Sequence, residues 1–126
     1  MLEIQERFDT AGYERIIERA GDALVHITEA IDKGQSIGFI AYSYGAEETT
    51  VYDYSDSGEL MLCDGLVRSV MFKSALKGIG RLVFDLEDKE KEVPLRKLKF
   101  LNEGSNVCED IDSYMNGCQN CKSNQK

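Results

Sequence analysis

The segment GELMLCDGLVRSVMFKSALKGIGRLVFDL, Gly58 to Leu86, reads as one βαβ unit, and the remainder of the chain is arranged around it. Leu66, Val67, Val70, Met71, Ala75 and Leu76 recur at three- and four-residue steps, which places them on one stripe of a helix able to cover a sheet. Asp64, just before the first of them, has the carboxylate that accepts from first-turn amides and suits the positive end of the helix dipole. Lys77-Gly78 marks the other end, where the chain must turn left-handed to leave the helix. The apolar run Leu82, Val83, Phe84 and Leu86 then has the composition of a strand covered on both faces.

Upstream, Ser36–Tyr44 (SIGFIAYSY) and Thr49–Tyr54 (TTVYDY) are rich in β-branched and aromatic residues and are joined by a polar turn, which predicts a hairpin. Ser55-Asp56-Ser57-Gly58 makes a second turn, and Glu59–Cys63 is expected to return as a third antiparallel strand. From Glu6 to Ile31 the positions Phe8, Tyr13, Ile16, Ile17, Ala20, Leu24, Ile27 and Ile31 fall mainly at helical spacing. One or two helices are expected there, ended by Lys33-Gly34 and carrying His26 on the first long one. Downstream, Pro94 opens a short helix over PLRKLKF, and Val107, Ile111, Tyr114 and Met115 mark a last amphipathic element.

The chain has 126 residues and a single proline, so one domain over residues 1–117 is expected, followed by a polar tail, 118–126, with a CxxC pair. Net charge is −8, which opposes binding to nucleic acid because phosphates would be repelled over most of the surface. No stretch reaches the ~20 apolar residues of a membrane helix, and the charged N-terminus MLEIQERFDT does not resemble a signal peptide. A cytoplasmic location with no membrane partner is the expectation.

In such a location the four cysteines, Cys63, Cys108, Cys118 and Cys121, fit metal or redox chemistry better than disulfides. Cys118-Gln119-Asn120-Cys121 puts two thiols at metal-ligand spacing. With Cys108, and Cys63 elsewhere in the chain, they could hold zinc or an iron–sulfur cluster. The alternative is a polar tail with incidental thiols. Tyr42 and Tyr44 fall on one face by alternation, and so do Tyr52 and Tyr54. Such a set either pairs across strands or lines a cleft.

A helical start, an antiparallel meander, a central helix ended by glycine, a parallel strand and an LRKLKF helix together resemble the GNAT acetyltransferase superfamily. The likeness is densest from Glu59 to Phe100, where Leu95-Arg96-Lys97-Leu98-Lys99-Phe100 resembles the family's Y-x-K-x-G-F segment. The resemblance implies an α/β (α+β) fold with a mixed central sheet, a meander followed by a βαβ unit, and helices on both faces. It also implies acetyl-coenzyme A as cofactor. Its pyrophosphate would lie at a Q/R-x-x-G-x-G/A loop before the central helix, where exposed amides and the helix N-terminus hold phosphates.

Gly65 matches the first glycine of that motif, which makes Cys63, Asp64, Gly65, Leu66 and Val67 the candidate coenzyme-binding residues. Leu62 stands where the family has Gln or Arg, and Val67 where it has Gly or Ala. Asp64 would set a negative charge against the phosphates. The tyrosine that many members use as general acid is not matched, because that region reads Val93-Pro94-Leu95-Arg96. The expected function is therefore a ligand- or protein-binding module with a degenerate coenzyme loop. The alternatives are an active N-acyltransferase of the GNAT type, or a protein acting through Cys108, Cys118 and Cys121.

Overall fold

The computed structural model describes residues 2–7, 9–111 and 113. Strands β1 (Leu2–Glu6), β2 (His26–Asp32), β3 (Gln35–Tyr44), β4 (Glu48–Ser55), β5 (Arg81–Phe84) and β6 (Val107–Cys108) form one sheet in sequence order. Every neighbouring pair is antiparallel except β4 and β5, which are parallel. Helix α1 (Glu14–Ala20) lies between β1 and β2, α2 (Leu60–Leu76) between β4 and β5, and a 3-10 turn, Lys89–Lys91, leads into α3 (Glu92–Lys97) between β5 and β6. This is the expected mixed sheet, a meander followed by a βαβ unit.

Helices α1 and α2 cover opposite faces, and alternation along β3 assigns each side chain to one of them. Ile40 and Tyr42 face α2, where they pack with Val51, Tyr54, Leu62, Leu66, Val70, Leu82 and Phe84. Ala41 faces α1, where Ile16, Val25, Ile27 and Tyr52 form a smaller core. Phe39 packs against that second core with Tyr13, their rings 4.9 Å apart and edge to face.

The structure corrects the sequence reading in three places. First, the stretch Glu6–Ile31 is not mainly helical. Among its described residues only Glu14–Ala20 is; the chain leaves the helix at Gly21, with φ of 67°, and continues as β2. Lys33-Gly34 is a hairpin turn, with φ of 55° and 82°, the paired positive values that suit a two-residue connection between twisted strands. His26 is thus a strand residue, its Nδ1 2.9 Å from Glu6 Oε2.

Second, the helix begins at Leu60, so Glu59–Cys63 is no strand. Leu62 and Cys63 continue the buried stripe of Leu66, Val67, Val70 and Met71 by one turn. Leu62 packs over Gly38, where a Cβ would come within 2.5 Å of the Ser55 carbonyl oxygen and 3.1 Å of Leu62 Cδ2. Asp64 therefore lies inside the helix. It caps nothing and pairs with Arg68 at 3.0 Å, one turn along.

Third, Tyr52 and Tyr54 lie on opposite faces. The β3–β4 register shifts between Ala41 and Tyr42, so Ala41 opposes Asp53, Tyr42 opposes Val51, and Tyr52 is the extra residue of a bulge. Tyr52 turns to the α1 side and bonds Ser43 Oγ at 2.8 Å, whereas Tyr54 turns to the α2 side. The short helix expected over PLRKLKF is present but shifted: α3 starts at Glu92, before Pro94, and ends at Lys97. Lys99, standing where the family's Y-x-K-x-G-F segment has glycine, has a left-handed φ of 69°, and Phe100 beyond it is buried.

Candidate ligand cleft where two strands part

β4 and β5 pair from Glu48 opposite Arg81 to Val51 opposite Phe84, and the last bond between them runs from Asp85 N–H to the Val51 carbonyl at 2.8 Å. Beyond it β5 is drawn toward β6. Phe84 N–H donates to the Asn106 carbonyl at 2.8 Å, and Asn106 Nδ2 donates back to the Phe84 carbonyl at 3.0 Å. β4 runs on to Ser55 paired with β3 but no longer with β5. Open α/β sheets bind their ligands in this kind of crevice, at the carboxyl ends of parallel strands. Here a cleft of about 330 Å³ lies between Tyr54–Gly58 on one side and Asp88, Glu90, Lys91 and Pro94 on the other.

A strand that loses its neighbour leaves backbone acceptors that must find donors. Arg19, from α1, supplies one set. Its Nη1 donates to the Tyr52 carbonyl at 3.0 Å and its Nη2 to the Asp85 carbonyl at 2.8 Å, so the guanidinium spans the gap. Lys91 supplies the other, its Nζ lying 2.7 Å from both the Tyr54 carbonyl and Asp53 Oδ1. The Tyr54 hydroxyl donates in return to the Lys91 carbonyl at 2.5 Å. Burial, with Cys63 close by, pushes the Tyr54 phenol far above the ordinary tyrosine range. It stays protonated and serves as a fixed donor. Burial likewise pushes the Cys63 thiol up to about 11, against a hydrogen bond with Tyr54 that lowers it, so Cys63 is no thiolate at neutral pH.

The turn before α2 is equally occupied. Asp56 Oδ1 accepts the Gly58 N–H at 2.9 Å, and the Asp56 carbonyl accepts the Glu59 N–H at 2.8 Å. Ser57 Oγ donates to the Ile37 carbonyl. Three carboxylates, Asp56, Asp88 and Glu90, line the cleft, and Lys91, the cation among the lining residues, is already paired with Asp53. A diphosphate needs free amides and positive charge. The three carboxylates oppose the pyrophosphate of acetyl-coenzyme A, and the Gly58 and Glu59 amides are already bonded.

The candidate coenzyme residues lie elsewhere. Cys63, Asp64, Gly65, Leu66 and Val67 are in the first turns of α2 rather than in a loop before it, because the helix starts several residues earlier than the apolar spacing suggested. Cys63 N–H bonds to the Glu59 carbonyl at 3.1 Å, and Cys63, Leu66 and Val67 are fully buried in the core. Gly65 faces open space rather than a close neighbour. Leu95, at the position the family resemblance gives to tyrosine, is fully buried as well.

Of the candidate metal ligands, Cys108 is buried in β6 opposite Leu82, and burial raises its thiol. Cys118 and Cys121, with the rest of the 118–126 tail, lie outside the described residues. Among the described residues no group of three or more His, Cys, Asp or Glu could hold a metal ion. No helix among them is long and apolar enough to cross a membrane. Arg19, Asp53 and Lys91, which bond where the strands part, are not predicted as site residues by the sequence. They are far apart in the chain and share no local motif.

No family model matches the chain, and no curated protein matches it by sequence. Solved structures do resemble it. The ribosomal-protein-S18-alanine N-acetyltransferase of Escherichia coli superposes with a TM-score of 0.58 at 12% identity, over 79% of this chain and 77% of that one. The ribosomal-protein-alanine N-acetyltransferase of Brucella melitensis biovar Abortus 2308 gives 0.56 at 15% identity, over 78% and 88%. A Desulfovibrio desulfuricans protein described as an acetyltransferase of the GNAT family gives 0.54 at 13%, over 78% and 81%. Likeness at such low identity speaks to architecture, and what it establishes is that the chain has the GNAT acetyltransferase fold.

Proposed function

We propose that this chain is a GNAT-fold binding module whose cleft does not take acetyl-coenzyme A and does not transfer an acyl group. The observation that carries this reading is the occupation of the parted strands by the chain's own cations. Arg19 holds the Tyr52 and Asp85 carbonyls, and Lys91 holds the Tyr54 carbonyl and Asp53. A coenzyme entering here would have to displace charge-assisted bonds already made and bring its phosphates against Asp56, Asp88 and Glu90. Buried Leu95 in place of a tyrosine adds support, since it offers no proton to a leaving thiolate. The partner is a protein or small molecule, and the net charge of −8 favours one other than nucleic acid.

Thermal melting with acetyl-coenzyme A tests this reading. A ligand present at about 100 times its Kd stabilises the folded state by about 2.7 kcal/mol, roughly 10 °C for a domain of this size. The expected result is no shift with millimolar coenzyme. A saturable rise, accompanied by acetylation of an amine substrate, would overturn the reading in favour of an active acyltransferase.

A further inference from the structure

The group that fills the cleft defines what the cleft recognises. The Lys91 ammonium has three N–H donors and meets two oxygen acceptors at 2.7 Å, the carboxylate of Asp53 and the carbonyl of Tyr54. Its Nζ also lies 5.7 Å from the centroid of the Tyr54 ring. The acceptors come from β4 beyond its last bond to β5, and the Tyr54 hydroxyl fastens the backbone of Lys91 to the same strand. Around them stand Asp56, Asp88 and Glu90, so the field at this point favours a cation. A carboxylate and a carbonyl converging at short range select a compact donor with hydrogens to give, which a primary ammonium is and a quaternary one is not.

We propose that the mouth of this cleft is a primary-ammonium seat, which the chain fills in cis with Lys91 and thereby closes to other ligands. This rests on the reading of the chain as a module that does not take the coenzyme. The ligand class follows from the acceptors: an unbranched primary amine, such as a lysine side chain or a small alkylamine, enters only when Lys91 is absent.

The test is chemical rescue in the full chain. Lys91→Ala empties the seat and is expected to lower the melting temperature by roughly 4 °C through loss of the two charge-assisted bonds. n-Butylammonium chloride is expected to restore at least half of that loss, whereas tetramethylammonium chloride and n-butanol restore nothing, and none of the three changes the wild-type protein. A variant as stable as wild type, or equal effects of the primary and quaternary ions, would overturn the proposal.

If Lys91→Ala does not fold, competitive acetylation of the wild-type protein gives the answer. The seated Lys91 is expected to react about tenfold more slowly than the exposed Lys89 and Lys97, and equal rates would overturn the seat. The two readings fail separately. Coenzyme binding by the wild-type protein removes the functional reading, whereas absent rescue with no coenzyme binding removes the ammonium seat alone.

Discussion

Replacing Arg19 by methionine removes the guanidinium that spans the parted strands while keeping an apolar stem of similar reach. The two carbonyls it serves are not equivalent. Tyr52 is buried, so its carbonyl loses the 3.0 Å bond from Nη1 with little access to water, which costs about 2 kcal/mol. Asp85 is exposed, and water replaces the 2.8 Å bond from Nη2 at a cost of roughly 0.5 kcal/mol or less. The contact between Arg19 and the Asp85 carboxylate, at 3.9 Å, lies at the edge of ion-pair range and adds little. The sum is about 2 kcal/mol, or a melting temperature lower by roughly 8 °C. Urea unfolding followed by circular dichroism measures it, and the midpoint should fall with the slope unchanged. A loss below about 0.5 kcal/mol would refute the reasoning, because the Tyr52 carbonyl would then have another donor available.

Other perturbations test the frame around the cleft. Gly38→Ala should cost roughly 2–4 kcal/mol in thermal melts, because the new Cβ meets the Ser55 backbone oxygen at 2.5 Å, which cannot easily yield; unchanged stability would contradict that close approach of β4 to Gly38. Lys99→Gly should stabilise by roughly 0.5 kcal/mol through relief of the left-handed φ of 69°, and Lys99→Ala should not. Cys63, with its thiol pushed up to about 11 by burial, should resist alkylation at pH 8 in the native protein and react quickly in urea, as peptide mass spectrometry would show. Burial raises the Glu6 carboxyl, but hydrogen bonds and charge from His26 and Lys73 outweigh it, and the net value lies below the ordinary one of about 4.5. Its contribution to stability is therefore present above the unfolded value and is lost as pH falls through the lower folded one. Glu6→Gln should flatten stability against pH below about pH 4.5, and an unaltered acid limb would contradict that assignment.

The parts of the fold visible in the sequence were those in which one periodicity had no rival. The hairpin of β3 and β4, the body of α2 and the apolar run of β5 carry patterns tied to a single element type. Between Ile16 and Ile31 the signal was ambiguous for a physical reason. Ile27 and Ile31 are four apart, which places two residues on one helix face and equally on one strand face. The buried α2-facing positions of β2 are Thr28 and Ala30, neither of which announces a core. Thr28 is satisfied there by the Tyr42 hydroxyl at 2.8 Å and by Lys73 Nζ at 3.1 Å, contacts that no local pattern encodes.

The start of α2 was recoverable, since extending its stripe back one turn would have included Leu62 and Cys63. That extension moves the helix entrance to Glu59 and the candidate loop to Asp56–Gly58. The cleft itself was beyond reach. It depends on a bulge at Tyr52 and on bonds that join Arg19 to β4 across 33 positions and Lys91 to it across 37. The departures from the coenzyme motif were visible at Leu62, Asp64 and Val67. The residues that occupy the cleft could be named only once the strands were in register.

The central claim is that the polar groups at this cleft are already paired within the chain. ¹H–¹⁵N spectra of the wild-type protein, recorded with increasing acetyl-coenzyme A up to millimolar concentration, test it at the residues concerned. The amides of Tyr54, Ser55, Gly58 and Leu60 and the side chains of Arg19 and Lys91 are expected to keep their positions throughout. Saturable movement of those signals would contradict it.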